Sequence, residues 1–163
     1  MEPGEALGIA AQIAVALAGF AGVVVVFRRE SIHEWSPVEK FRLRLLLVNS
    51  ILPLGLCTIA LLLLTIEPAL TGVWRWCSGV AFVFLLVFGI TNTTTFLHLN
   101  LRQSQSAPSN IIFYLTASLG TAVMLLQLYN IAMLGAFWAF FTGIVLHLVG
   151  AMFQFARMIL LQP

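Results

Sequence analysis

Residues 45–66 read LLLVNSILPLGLCTIALLLLTI, an apolar run without one charged side chain. Roughly 20 such residues, at about 1.5 Å of rise each, are what a helix needs to cross the hydrocarbon core of a bilayer. Four further stretches have the same character, at 7–27, 73–97, 111–129 and 137–160. The connections are short, so successive segments are expected to run antiparallel. The expected fold class is all-α: a polytopic integral membrane protein, a five-transmembrane-helix bundle forming a single membrane domain over residues 1–163.

Composition leads to the same place. Of the 163 residues, 61% are hydrophobic and 9% charged, whereas an ordinary soluble domain is about a quarter charged. No soluble core of this size hides that much apolar surface, so lipid is the solvent for most of it. The net charge is only +2, and the basic residues form no stripe, which excludes nucleic acid as a partner. The start of the chain, Met1 to Glu5, carries no Lys or Arg and so lacks the positive region of a secretory signal. Ala14-Val15-Ala16 resembles a cleavage motif but sits inside the apolar run, and the first helix is expected to stay in the mature protein.

Orientation follows from the basic residues. Counted by alternate sides, Arg28, Arg29, Lys40, Arg42, Arg44, Arg102 and Arg157 fall on one side and Arg75 on the other. The positive-inside rule makes the first side cytoplasmic, which places the chain in the cell membrane with its N-terminus outside and its C-terminus in the cytoplasm. Trp74, Trp76, Tyr129 and Trp138 stand at the opposite ends of their spans, where an interfacial aromatic belt belongs.

Ahead of the second span, Ser36-Pro37-Val38-Glu39 spells a capping box with proline at the first helical position. That helix is therefore expected to begin well before the apolar run. Its first turns carry Lys40, Arg42 and Arg44 beside Phe41 and Leu43, a pattern suited to anionic lipid headgroups as well as to setting topology. Pro53 removes the amide that would bond the Asn49 carbonyl, so a kink is expected there.

With no water at depth, polar side chains inside the spans need a protein partner or a cavity. No Asp occurs in the chain, and no Glu, Lys or Arg falls in the centre of a span, so carboxylate proton relays of the pump type are not encoded. Cys57 lies about 13 Å of helix below the end of its run, whereas Cys77 is barely a turn below its own start. A disulfide needs Cα atoms within about 7 Å, so both read as small buried hydrophobes. The histidines and cysteines show no metal-ligand spacing.

Tyr114, Ser118 and Thr121 share one face of the fourth span, and Gly143, His147, Gly150 and Gln154 share one face of the fifth. With a turn near 131–136, hairpin arithmetic sets Ser118 opposite His147. The expectation is a buried, neutral His147 bonded to Ser118 or Thr121, since no acid at that depth stabilises a charged ring. In the second and third spans, Asn49, Ser50 and Pro53 are expected to face Thr91, Asn92, Thr93 and Thr94. A polar pocket drawn from Asn49, Asn92, Ser118, His147 and Gln154 is the candidate site. Ala10, Ala14, Ala18 and Gly22 form a small-residue stripe suited to close helix packing.

Three functional classes fit these residues. The first is a structural or accessory subunit of a membrane assembly, with a second copy or another membrane protein as partner. The second is a small oligomeric channel or transporter, whose polar path would need Asn49, Asn92, Gln127 and His147. The third is a hydrolytic or cofactor-binding enzyme using His147: Ser118 beside His147 is the minimum for a nucleophile and base, and a midplane histidine flanked by glycines leaves room for a haem-type macrocycle. No oxyanion donor can be named and His98 lies at another depth, so no specific cofactor is assigned. The first class ranks highest because charges at depth and catalytic motifs are both missing.

Overall fold

A computed structural model describes residues 1–27, 34–66, 71–98 and 107–160. Arg28, Arg29 and Arg102, which enter the orientation argument, and His33 lie outside the described residues. The architecture is an all-α membrane bundle: α1 (Pro3–Phe27), α2 (Pro37–Leu64), α3 (Val73–His98), α4 (Ala107–Tyr129), a π-helical turn (Asn130–Leu134) and α5 (Phe137–Leu160). Each of the five is long and apolar enough to cross a membrane. Helices α1, α2 and α4 start several residues before the apolar runs, because caps and prolines set helix ends while hydropathy sets only the lipid-embedded part.

The chain packs as two compact units, one of Met1–Val73 with Ile144–Pro163 and the other of Trp74–Gly143. In the first, α1 lies along α2. Its buried side chains are Ala6, Leu7, Ala10, Ala14, Leu17 and Ala21. From Leu7 onward they advance by alternating steps of three and four and so follow the helical repeat. The strict fourfold stripe expected from the sequence does not hold to its end: Ala18 is half-buried and Gly22 exposed. A step of four overshoots the turn by about 40° each time, so Gly22 has rotated off the contact face.

The capping box at the start of α2 is formed as expected. The Ser36 backbone amide donates to Glu39 Oε2 at 2.9 Å, and the Glu39 amide donates to Ser36 Oγ at 3.2 Å. The helix continues through Pro53, which is buried. Its buried face runs Leu46, Asn49, Ser50, Pro53, Leu56, Cys57 and Ala60. The later turns of α5 contribute buried Ile144, His147, Leu148, Ala151, Gln154 and Met158 to the same unit. Phe20 of α1 meets Phe155 of α5 with ring centroids 5.4 Å apart.

The second unit holds α3, α4, the π-helical turn and the first turns of α5. Phe96 of α3 stacks on Phe113 of α4 at 3.8 Å, and Trp74 packs on Phe137 at 4.8 Å, so both ends of the unit are joined by rings. The turn after the fourth span is tighter than expected. Helical backbone runs on to Leu134, and Gly135, at φ 59°, stops it. The left-handed backbone there suits glycine. Both cysteines are buried free thiols, as their depths require.

Candidate polar sites inside the spans

Hydroxyls inside these helices are bonded locally. Thr58, Thr91, Thr94, Thr116 and Thr121 each donate to the carbonyl four residues earlier, at 2.8–2.9 Å. Ser50 does the same to Leu46, and Ser118 donates to Leu115, both at 2.8 Å. A hydroxyl held this way needs no partner across a helix interface. The threonine run of α3 is accordingly not forced inward: Thr93 and Thr94 are exposed, and Asn92 is the residue of that run that is buried.

This overturns the pairing expected for His147. Ser118 and Thr121 are exposed and spend their hydroxyl protons on their own helix. His147, 2% exposed, places Nδ1 2.7 Å from Oδ1 of Asn49 instead. The amide of Asn49 is oriented by a second bond, from Nδ2 to the Leu45 carbonyl at 2.8 Å. Its Oδ1 can only accept, so Nδ1 of His147 carries the proton, and in the neutral ring Nε2 is the acceptor end. Gly150, one turn along α5, lets the helix approach, since a Cβ built there would stand 3.5 Å from Asn49 Cγ.

Of the five candidate pocket residues, Asn49, His147 and Gln154 belong to the first compact unit and Asn92 and Ser118 to the second. The structure joins Asn49 to His147 by a hydrogen bond. Gln154 is 8% exposed, with Oε1 buried and lacking a hydrogen-bond partner among the described residues. Among those residues, no group of three or more His, Cys, Asp or Glu gathers where it could hold a metal ion.

No family model, curated protein or solved structure matches this chain. Its chemistry has to be read from its own residues.

A second polar centre lies in the second unit, where the sequence marks Gln127 as polar at depth but leaves Asn130 unnoticed. Asn130 is fully buried; its Nδ2 donates to Ser78 Oγ at 2.7 Å and to the Ala136 carbonyl at 3.1 Å, while its Oδ1 accepts from the Ala136 amide at 2.8 Å. Three residues earlier, Gln127 donates from Nε2 to the Ala139 carbonyl at 2.8 Å. Gly143 makes room for that amide, since a Cβ there would stand 3.3 Å from Gln127 Nε2. The signal was present in the order Tyr129-Asn130 followed by Gly135. An asparagine at a helix end shortly before glycine is a terminating pattern.

Proposed function

We propose that this chain is a structural or accessory subunit of a larger membrane assembly in the cell membrane, with its N-terminus outside and its C-terminus cytoplasmic. The observation that carries this reading is the state of α4. Only 11% of its apolar stretch is buried, against 44% in α5. Its exposed side chains include Thr116, Ala117, Ser118, Thr121 and Ala122, the small and hydroxyl residues that let helices approach closely in lipid. Their hydroxyls are satisfied within α4 and tolerate lipid, and their small size leaves room for a second helix to pack closely. The polar side chains of the two interiors support the same reading, because they are engaged chiefly in holding helices and turns. Headgroups of anionic lipid at the basic start of α2 are the second partner we assign.

The assembly is tested by Ser118→Cys, with Val149→Cys as a control on an exposed position of α5. Thiol cross-linking in native membranes should give a discrete heavier adduct from position 118 and not from 149. A chain that stays monomeric in mild detergent, and cross-links equally at both positions, would overturn the reading. Orientation is tested with reporters: an external reporter before Glu5 and a cytoplasmic reporter after Pro163 should both be active. An external reporter active after Pro163 would refute the assignment.

A further inference from the structure

We infer that α1 pairs inside the bilayer with α1 of a second copy of this chain, through the amide of Gln12. Asn49, Asn92, Gln127, Asn130 and Gln154 are buried within the chain, whereas Gln12 is exposed. It stands five residues into the apolar run that begins at Leu7, about 7.5 Å of helix below the edge of that run. Its amide has no hydrogen-bond partner among the described residues. The exposed hydroxyls of α4 bond to their own preceding turn, but an amide cannot satisfy both its donor and its acceptor in that way. Hydrocarbon offers nothing in their place, so Gln12 calls for a partner from outside the chain.

The surroundings of Gln12 identify that partner. Gly8, Gln12, Val15, Gly19 and Gly22 advance by alternating steps of four and three and so share one face of α1. That face lies opposite Ala10 and Leu17, which are buried in the unit. Gly8 is half-buried and the other four are exposed, and a Cβ built at any of the three glycines would meet nothing within 4 Å. In lipid, small residues let a second backbone come close, and a polar residue among them bonds across the gap. Copies of one membrane protein share one orientation, so a two-fold axis along the bilayer normal brings each residue that faces it against its own counterpart at the same depth. An amide is its own complement: Nε2 of each Gln12 donates to Oε1 of the other, and the pair closes without a third group. A partner of different sequence would need a matching polar group at that depth on a face of small residues, whereas a second copy carries both. Glu5, seven residues before Gln12, stands ahead of the apolar run, where water and salt screen it from its counterpart.

The inference names one partner within the proposed assembly but rests on α1 and not on α4, so the two fail separately. Full-length chains labelled with donor or acceptor dyes are mixed in phosphatidylcholine vesicles, and energy transfer is followed as added lipid dilutes the protein. The parent should associate. Gln12→Leu should weaken that association roughly tenfold, while Gln12→Asn, which restores an amide, should keep most of it. Gly19→Ile, which sets a branched side chain between the helices, should weaken it as well. In native membranes, Val15→Cys should cross-link to an adduct of twice the chain mass that the parent does not give, and Ile13→Cys, exposed on another side of α1, should not. Should Gln12→Leu fail to fold, the Val15→Cys adduct decides. A parent that stays monomeric at every dilution, or a Gln12→Leu variant that associates as tightly as the parent, would overturn the pairing. A Val15→Cys adduct of any other mass would overturn the second copy as partner. Association lost in Ser118→Leu but intact in Gln12→Leu would overturn the α1 site and leave the α4 reading standing.

Discussion

The two compact units each bury an asparagine, and they use it differently. Asn130 closes a turn: both ends of one amide grip Ala136 six residues on, and Ser78 of another helix is added to the same grip. Asn49 spans 98 residues of sequence to reach His147, with its other end held by its own helix at Leu45. The first arrangement satisfies backbone groups that the turn leaves without helical partners. The second connects two helices through side chains and satisfies no backbone group beyond the Leu45 carbonyl. Buried polar residues of the same type therefore differ in what their loss exposes, and the energetic consequences should differ accordingly.

The largest effect is expected for Asn130→Leu, which removes three hydrogen bonds and strands the Ala136 amide and carbonyl. A loss of about 3 kcal/mol is expected in equilibrium unfolding from mixed micelles. A loss below that of His147→Leu would break the comparison. Next comes Gly135→Ala. The residue sits at φ 59° and a Cβ would lie 3.2 Å from Arg75 Nε. The left-handed backbone should cost about 1–2 kcal/mol, whereas the arginine can swing aside. If Gly135→Ala is neutral in the same assay, the turn is not held where Asn130 places it.

A smaller effect is expected for His147→Leu. Interhelical hydrogen bonds in membranes average about 0.6 kcal/mol in double-mutant cycles. A cycle of His147→Leu with Asn49→Ala should return a coupling of that order. No coupling would remove the link, and a coupling above about 2 kcal/mol would make the two asparagines equivalent. Smallest of all is Gly150→Ala, where the added Cβ would meet Asn49 at 3.5 Å, an ordinary contact. Relief of glycine's helix penalty, about 0.8–1 kcal/mol, should offset any crowding. A marked loss of stability would show the Asn49 rung to be tighter than its distances imply.

The spans were legible in the sequence because lipid imposes length and apolarity on every crossing helix, whatever it packs against. The start of α2 was legible because a capping box is local: four consecutive residues contain all of its partners. The Asn49–His147 link was half legible. Both residues stood out as polar at depth, but the partner given to His147 was Ser118. That assignment took periodic hydroxyls as a sign of an interior face, whereas a serine or threonine can satisfy itself on the preceding turn and sit outside. Asn and Gln cannot do so with both ends of the amide, and Asn49, Asn92, Gln127, Asn130 and Gln154 are buried while most of the hydroxyls are not, although Gln12 of α1 is exposed. The order Tyr129-Asn130…Gly135 marked a helix end, but the partners that Asn130 takes in the turn are backbone groups, which no residue type announces.

Helix α2 is closed at both ends. Ser36 and Glu39 cap its start, and at the other end the Thr65 amide and hydroxyl both donate to the Leu62 carbonyl, at 3.1 and 2.7 Å. Its 28 residues thus amount to a rod of set length, about 42 Å, against a hydrocarbon layer of about 30 Å. Fraying at either tip is opposed, so the surplus of about 12 Å is the Pro37–Arg44 stretch ahead of the apolar run. With α1 lying along α2, the cap holds the exposed Lys40 and Arg44 at a set height above the lipid-embedded part of the same unit.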